Sequence, residues 1–356
     1  TLTRPRLAAT LAGIAESGPG AFYEGPVAAA VAAATGGVLT VEDLAGCRPE
    51  WVDPIGIEVF GTTAWTVPPN SQGYLALAAA WLFAHAAAPA DPADPAFHHA
   101  VVESYRAMAW EREQYVADPD HAPLPPERLL DPDRLAGRLA AVRSGTAGTW
   151  PSPRPAAGGT AYFCTADPAG MGVSIIQSNF HGIGAGISAG DTGVWLHNRG
   201  AGFTLEPGHP NRAAPGKRPM HTLSPTLWSD GGSLRLLLGT RGGHQQPQYL
   251  VQAAALLFGA GLAPAEAQAV PRWSMDHAAA GTTSRVMVEA RTAAAVRDGL
   301  AARGHHVETH DDYQPGWGPV SIIAAEPGGW QAAADPRVST AHASVGTAPG
   351  AAGRSR

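Results

Sequence analysis

The stretch AAGGTAYFCTADPAGMGVSIIQSNF at residues 156–180 decides the predicted fold. It begins at the end of a segment rich in Gly, Pro and Ser, residues 144–159, which is typical of a linker. Residues 160–167 and 172–180 are rich in β-branched and aromatic side chains, and a Pro-Ala-Gly-Met turn joins them. The sequence therefore predicts a hairpin of two strands, of which the first opens with Thr160.

The chain on either side of this hairpin mixes helical with extended segments. Apolar residues recur at helical spacing before Gly18, and Thr40 precedes acidic residues as the N-cap of a short helix. Further helices are predicted at 26–35, 74–116, 246–258 and 291–303, and strands at 51–67, 193–197, 234–239, 284–289 and 317–323. A helical region followed by strands with helices between them indicates an α+β fold.

Composition and charge restrict the class of protein. The 24 basic and 30 acidic residues give a net charge of −6, so the basic surplus of a nucleic-acid binder is missing. Hydrophobic residues make up 45% of the chain, yet the longest apolar run, Leu75 to Ala84, is too short to span a membrane. No secretory signal is visible at Thr1, which favours the cytoplasm. Because the first residues already follow a helical pattern, a fragment of a longer chain is expected, and a periplasmic or secreted location stays open.

Neither a disulfide framework nor a cofactor is predicted. The two cysteines, Cys47 and Cys164, lie in unrelated contexts and are expected to be buried free thiols. The run GIGAGI at residues 182–187 lacks the glycine spacing of a dinucleotide-binding loop. Three histidines lie close together without a second cluster of ligands, so a solvated segment is expected there and no metal site: His305, His306 and His310.

Thr160 has a position that suits a nucleophile. Cleavage of the Gly159–Thr160 bond would leave Thr160 with a free α-amine beside its own hydroxyl. That amine, with an ordinary pKa of about 7.7–8.0, is a suitable base for the hydroxyl at neutral pH. The alternative is a plain strand residue after a linker, and spacing alone does not decide between the two.

A second element with catalytic chemistry is the glycine-rich turn GTRGGHQQPQ at residues 239–248. Adjacent glycines allow two backbone N–H groups to converge on one point, which is the geometry of an oxyanion hole. An ordinary connection between a strand and a helix has the same composition, so this alternative stays open as well.

Six segments together resemble the γ-glutamyltranspeptidase superfamily of N-terminal-nucleophile hydrolases. They are FYEGPVAAAVAAATGGVLTVEDLAG at 22–46, TVPPNSQGYLALAAAWLF at 66–83, TAYFCTADPAGMGVSIIQS at 160–178, LHNRGAGFTLEPGHPNRAAPGKRPMHTLSPTL at 196–227 and the turn at 239–248, with WQAAADPR at 330–337 near the end. Their wording is similar to the branch of oxamate amidohydrolase-like and cephalosporin acylase-like proteins.

The resemblance implies a four-layer αββα sandwich made of two subunits from one self-cleaved precursor. Residues 1–159 would form the C-terminal part of the large subunit, and residues 160–356 the small subunit. A dimer of such heterodimers is a further expectation. The family's N-terminal segment, with the arginine that binds the substrate's α-carboxylate, has no counterpart in this sequence.

Carried over position by position, the resemblance assigns site residues. Thr160 falls on the nucleophile, Ser178 on a second hydroxyl near it, and Gly242 and Gly243 on the oxyanion pair. Five positions fall on substrate contacts and differ there from the family's asparagine, glutamine, aspartate and paired serines: Phe180, Arg199, Gly202, His221 and Thr222. The site is therefore expected to bind a free glutamyl group poorly, because an acidic partner of its ammonium group has become Gly202.

The expected activity is hydrolysis of a small amide or peptide-like substrate through an acyl-enzyme on Thr160. Arg199 favours an acidic acyl group through a bidentate pair with its guanidinium. The alternative is that Arg199 only braces a loop through backbone carbonyls. Two alternatives remain within the same chemistry, namely γ-glutamyl transfer or hydrolysis, and carbon–carbon bond hydrolysis as in transpeptidase-like enzymes of secondary metabolism. A third is an uncleaved, catalytically silent protein used for binding.

Overall fold

The computed structural model of the chain describes residues 3–150, 159–276 and 281–346. Its helices are α1 Pro5–Ser17, α2 Gly20–Tyr23, α3 Pro26–Ala34, α4 Val41–Gly46, α5 Tyr74–His85, α6 Pro95–Ala109, α7 Arg112–Tyr115, α8 Pro126–Leu129, α9 Pro132–Ala136, α10 Leu139–Val142, α11 Gln246–Ala254, α12 Pro264–Ala269 and α13 Ala294–Ala302. Its strands are β1 Ile55–Val59, β2 Thr62–Thr66, β3 Gly159–Ala166, β4 Gly172–Phe180, β5 Thr226–Asp230, β6 Ser233–Thr240, β7 Trp273–Met275, β8 Arg285–Glu289, β9 His306–His310, β10 Val320–Glu326 and β11 Gly329–Ala333.

Local sequence signals account for several of these boundaries. Thr40 is the N-cap of α4, as expected: its hydroxyl accepts a hydrogen bond from the backbone of Asp43. The Asp43 carboxylate accepts one from the Thr40 N–H in return, which completes a capping box. Asp94 caps α6, and Pro95 takes the first helical position, where its missing N–H costs nothing. The predicted helices at 26–35, 246–258 and 291–303 are confirmed with shifted ends.

The apolar run that begins at Leu75 forms a core helix. Every residue of α5 from Tyr74 to Phe83 is buried, since the helix packs between the main sheet and helices α6 and α11. A helix that is apolar all round is expected in such a position. Among the described residues, none of the helices is long and apolar enough to cross a membrane.

The main sheet has six strands in the order β1-β2-β5-β6-β10-β11, all paired antiparallel. The two strands before the predicted cleavage point join the other four through β2 and β5, with Ala64 opposite Trp228. This pairing connects residues 1–159 to residues 160–356 by backbone hydrogen bonds. A smaller sheet has the strand order β7-β8-β9.

The two faces of β6 have different neighbours. Leu236 and Leu238 belong to the core that includes α5 and α11. Leu237 and Gly239 face the other way, towards the β3-β4 hairpin, because side chains alternate along a strand. The hairpin packs so closely that the Tyr162 ring occupies the space of a side chain at position 239. Helices therefore cover one face of the sheet, and the hairpin covers the other.

The fold class is a mixture of helices and antiparallel sheet, as expected, while the four-layer sandwich stays a prediction. The layer opposite the helices consists of the two strands β3 and β4 in the described residues. The outer face of this hairpin is exposed at three apolar side chains, Phe163, Val173 and Ile175. An outer helical layer over them is not part of what the structure describes.

The structure corrects the extent of the predicted linker. Residues 144–159 were expected to connect two regions without packing of their own. Trp150 is instead buried, and its N–H donates to Thr282 O at 2.8 Å, while Ala147 N–H donates to Arg303 O at 2.7 Å. Residues 151–158 of the predicted linker lie outside the described residues.

Other expectations are wrong because long-range contacts decide them. The predicted strand at 193–197 makes a single bridge, from Trp195 to Ser188. Cys47 is exposed, whereas a buried thiol was expected. The expected solvated segment of histidines is strand β9 preceded by the buried His305, whose ring lies 2.8 Å from the ring of His99. The described residues contain no group of three side chains suited to a metal ion.

The close approach of the hairpin to β6 yields a prediction about stability. In Gly239→Ala, the new Cβ would lie 1.9 Å from Tyr162 Cε2, so either the ring or the strand must move. We expect the free energy of unfolding to fall by about 1–3 kcal/mol, as in other overpacked interiors. Urea denaturation measures the change.

Gly329→Ala is the matched control, because Gly329 also lies in a strand of the sheet but has open space around it. Its stability should change by less than about 0.5 kcal/mol. Equal stability of the two variants would contradict the packing of Tyr162 on Gly239.

Candidate active site

Thr160 lies at an irregularity of the hairpin. Gly159 pairs with Phe180 and Ala161 with Gln177, so two residues of β4 face the single Thr160. Bulges of this kind re-aim side chains and are frequent beside active sites. The Thr160 Oγ1 atom is buried and has no hydrogen-bond partner within the described residues. A buried hydroxyl without a partner reduces stability, so its presence calls for a functional explanation.

The hairpin lies lengthwise along β6, and this fixes the position of Thr160. Near the turn of the hairpin, Gly172 lies against Leu234 at the start of β6. Further along β3, Tyr162 lies against Gly239 near the end of β6. Thr160 precedes Tyr162 by two residues in β3, so it lies on the same face of the strand and further from the hairpin turn. We infer that Thr160 lies at the C-terminal end of β6, where the glycine-rich turn begins.

The glycine-rich turn has a backbone that requires glycine at its centre, residues 241–245. Gly242 and Gly243 have positive φ angles of 127° and 56°. Tyr249 and Gly318 pack against Gly242, so that a Cβ there would approach the Tyr249 ring to 3.0 Å. Within the described residues, neither the Gly242 nor the Gly243 N–H donates a hydrogen bond. Two adjacent amides without acceptors are able to donate to one anion.

Arg199 is a buried cation next to β4. The residue is 7% exposed, and its guanidinium carbon lies 4.5 Å from the centre of the Phe180 ring. Its Nη1 reaches Thr222 Oγ1 and its Nη2 reaches Ser178 O, both at 3.4 Å. These distances are long for hydrogen bonds, so the two contacts are weak.

The charge of Arg199 has no counter-ion in the described part of the chain. Burial lowers the pKa of Arg199 to about 10, which still leaves the guanidinium charged at neutral pH. An unpaired buried charge is unfavourable, and buried charges are normally paired. The arrangement is therefore suited to an anion that arrives from outside the chain.

Two imidazoles near Arg199 add no charge at neutral pH. Burial lowers the pKa of His221 to about 4, and the neighbouring Arg199 and His197 contribute to this lowering. The pKa of His197 is lowered by burial and then by Arg199. The Arg199 backbone N–H donates to His197 Nδ1 at 3.1 Å, which requires that nitrogen to be unprotonated. The guanidinium is thus the positive group of this cluster.

Phe180 ends β4 in a backbone conformation that non-glycine residues rarely adopt. Its φ is 76° and its side chain is buried. The Ser178 Oγ accepts a hydrogen bond from the Phe180 N–H at 2.8 Å and so stabilises this bend. Strained backbone of this type clusters at functional sites. Ser178 lies opposite Thr160, but its hydroxyl makes no hydrogen bond to Thr160 Oγ1.

A cavity of about 150 Å³ adjoins these residues, and its wall includes Phe180, Gly202 and His244. Gly202 contributes no side chain to the wall, so the acidic group of the family pattern is missing at that position. Glu113 is the carboxylate of the wall, and its Oε2 lies 3.9 Å from His209 Nε2. The structure thus brings Phe180 and Gly202 to one cavity and places Arg199 against the ring of Phe180.

Sequence reasoning missed two residues that contact this site from the first part of the chain. Gln72 and Arg112 are both buried, and their side chains donate to carbonyls of the glycine-rich turn. Gln72 lies inside the segment at 66–83, which resembles the family but indicated no function for this residue. Arg112 had no signal beyond being a charge in a helical stretch.

Comparison with known proteins defines the class to which this fold and site belong. The family model described as gamma-glutamyltranspeptidase matches residues 1–345. The chain therefore belongs to the γ-glutamyltranspeptidase family.

Particular relatives place the chain within that family. It is 34% identical to the glutathione hydrolase-like YwrD proenzyme of Bacillus subtilis, over 93% of this chain and 64% of that protein. It is 31% identical to the oxamate amidohydrolase proenzyme of Klebsiella pneumoniae, over 94% and 64%. The crystal structure of cephalosporin acylase from Bacillus halodurans is similar, with a TM-score of 0.85, 32% identity and coverage of 96% of this chain and 63% of that one. The chain thus spans just under two thirds of the length of these relatives.

The glycine-rich turn yields a prediction about turnover. Gly242→Val forces a β-branched residue into a φ of 127° and against Tyr249, so the two free amides must move. We expect turnover of the best amide substrate to fall by about 10²–10³, the usual effect of losing one oxyanion donor. Steady-state kinetics on the folded, cleaved variant measures it.

Gly231→Val is the control, because Gly231 also has a positive φ, 53°, but lies at the opposite end of β6 with open space around it. This variant should lose stability and keep its turnover. Near-normal turnover in folded Gly242→Val would remove the turn from the mechanism.

Proposed function

We propose that this chain carries the active centre of an N-terminal-nucleophile amide hydrolase in which Thr160 is the nucleophile. The observation that carries the proposal is the buried Thr160 Oγ1 at a strand bulge, without a hydrogen-bond partner in the described residues. Its inferred position next to the glycine-rich turn, where two backbone N–H groups donate no hydrogen bond to any described residue, supports the same role. Family membership supports it, because the relatives are named as hydrolases and an acylase, two of them as proenzymes.

Self-cleavage would create the catalytic base. Thr160 Oγ1 attacks the carbonyl carbon of Gly159, and the peptide nitrogen leaves as the α-amine of Thr160, which gives an ester between the two residues. Water then hydrolyses the ester, releasing the Gly159 carboxylate and the free hydroxyl. No side chain of the described residues accepts a hydrogen bond from Oγ1, so the new α-amine is the suitable base.

Turnover would then follow the acyl-enzyme route. The α-amine takes the proton from Oγ1 as the oxygen attacks the substrate carbonyl, and the N–H groups of Gly242 and Gly243 stabilise the oxyanion. Collapse of the intermediate transfers the proton to the leaving amine and leaves an acyl ester on Thr160. Water, activated by the same α-amine, hydrolyses the ester.

The substrate is proposed to carry an acidic acyl group. Arg199 supplies a buried guanidinium that is charged at neutral pH and has no acidic partner in the described residues. Its weak contacts to Ser178 O and Thr222 Oγ1 set it beside the strand that faces Thr160. A carboxylate on the acyl group, as in an oxamate or a dicarboxylic acid amide, would complete this ion pair.

A second candidate is hydrolysis of a γ-glutamyl amide. It is favoured by Glu113, whose carboxylate lines the cavity next to Phe180 and Gly202 and is able to pair with an ammonium group. Glu113 is on α7, in the part of the chain before Thr160. The two candidates differ in whether the acyl group needs an ammonium or a carboxylate.

The mature protein is proposed to consist of two subunits from one precursor, in the αββα arrangement. Pairing of β2 with β5 would hold residues 1–159 and 160–356 together after cleavage, because every hydrogen bond of that ladder joins the two parts. Association of such heterodimers into a dimer belongs to the same proposal. No cofactor is required by the chemistry.

The first prediction of this proposal concerns maturation. Purified protein should contain a chain that begins TAYFC, with Thr160 as its first residue, because the ester route breaks the Gly159–Thr160 bond. N-terminal sequencing and intact mass measure this. Thr160→Ala should stay uncut, since it has no hydroxyl to attack.

Thr160→Ser is the matched control, because it keeps the hydroxyl and should still be cleaved. A single intact wild-type chain with full activity, or cleavage of Thr160→Ala at the same bond, would contradict the assignment of the nucleophile.

The second prediction concerns specificity. Wild-type protein should hydrolyse amides of an acidic acyl group better than their neutral analogues and better than γ-glutamyl anilides. Arg199→Ala should lower kcat/KM for the acidic substrates by about 10- to 100-fold, the usual loss for a charge-assisted contact. Its kcat/KM for neutral amides should change little.

Arg235→Ala is the control, because Arg235 is exposed on β6 and removal of its charge leaves the site untouched. The second candidate would be favoured instead if the wild type turned over a γ-glutamyl substrate best. In that case Glu113→Gln should lose this activity and Arg199→Ala should keep it.

A further inference from the structure

Two side chains from the first part of the chain hold the glycine-rich turn, which belongs to the second. Gln72 precedes α5 and is fully buried, and Arg112 opens α7 with 2% of the residue exposed. Both lie well before Thr160 in the sequence, so they would belong to the other subunit after cleavage.

The amide of Gln72 joins two loop segments of the site, the one that precedes β5 and the glycine-rich turn after β6. Its Nε2 donates to Thr222 O at 2.7 Å and to Gly243 O at 2.8 Å, which uses both of its hydrogens. Thr222 is the residue whose hydroxyl contacts Arg199. One side chain therefore connects the residue that contacts the Arg199 guanidinium with the turn that carries the free amides.

Arg112 completes this connection. Its Nε donates to Gln72 Oε1 at 2.7 Å, and its Nη2 donates to His244 O at 2.6 Å. A cation at Oε1 decides which end of the Gln72 amide faces the turn, because the amide oxygen must point at the guanidinium. The Nε2 group is thereby directed to the two carbonyls.

The held carbonyls lie next to the free amides. Peptide units are rigid planes, so the two hydrogen bonds fix the planes that directly follow Gly243 and His244. Gly243 is the hinge between these fixed planes and the free amides, so its torsions are the ones that the two bonds restrict. The remaining torsions direct the N–H groups of Gly242 and Gly243. An unheld turn would sample several directions, and a misplacement of about 1 Å at a reacting centre is able to cost about 100-fold in rate.

We propose that Gln72 and Arg112 are positioning residues, which aim the Gly242 and Gly243 amides at the oxyanion from the other side of the cleavage point. The proposal rests on the oxyanion role given to this turn above. On this proposal the two parts would have to stay associated for activity, since residues 160–356 alone lack the groups that hold the turn.

The main test uses Gln72→Met, which has a similar shape but lacks both donors, and Arg112→Lys, which keeps the charge but loses the fork. Gln72→Met should lower kcat by about 10- to 100-fold while KM changes by less than about threefold. Arg112→Lys should lose less than Arg112→Met. Gly231→Val is the matched control for general destabilisation and should keep its kcat.

A double variant separates positioning from mere support of the fold. If Gln72 acts through the turn, its loss should add little to Gly242→Val, where the turn is already displaced. The double variant should thus be within about threefold of Gly242→Val alone. Multiplied losses in the double variant, or a kcat of Gln72→Met within twofold of wild type, would overturn the proposal.

A readout without catalysis distinguishes this proposal from the proposed function. In the protein labelled with ¹⁵N-glycine, the Gly242 and Gly243 amide signals should shift or broaden in Gln72→Met, while the Gly231 signal stays in place. Unmoved signals would refute the positioning role whatever the activity. If the signals shift but turnover does not depend on Thr160, the positioning of the turn by Gln72 is supported and the proposed function is refuted.

Discussion

The close approach of β3 to β6 is the contact on which the candidate site depends. It is possible because Gly239 has no side chain, so that the Tyr162 ring lies directly on the backbone of the sheet. That contact sets the hairpin along β6, and from it we infer that Thr160 lies at the end of the strand, where the glycine-rich turn begins. A side chain at position 239 would lift the hairpin and separate the proposed nucleophile from the proposed oxyanion donors.

The electrostatics of the site follow from burial combined with an absence of acid. Arg199 stays charged at neutral pH with a pKa of about 10, whereas burial and the guanidinium keep His221 neutral. Gly202 has no side chain, and we propose that the charge of Arg199 pairs with an anionic ligand. Glu113 lies in the wall of the adjoining cavity and gives that wall a negative group of its own. Under the two proposed functions, a carboxylate on the acyl group would pair with Arg199, and an ammonium group would pair with Glu113.

Sequence reasoning succeeded where the signal is local. The hairpin, the capping box at Thr40 and the glycine-rich turn each follow from residues next to one another in the chain. It failed where the contacting residues are distant in the chain. The predicted strand at 193–197 makes one isolated bridge, and the segment predicted to be solvated forms strand β9 because it pairs with β8. Gln72 was missed for the same reason, because its role exists only when residues 150 or more positions away contact it.

The most direct test of the central claim is to find the acyl group on the enzyme. Protein incubated with an acidic amide substrate should be quenched with acid during turnover, digested and analysed by mass spectrometry. The account predicts an added acyl mass on the peptide that begins at Thr160, removable by hydroxylamine. Rapid turnover with the acyl group on another residue, or with no covalent adduct on any peptide, would contradict Thr160 as the nucleophile.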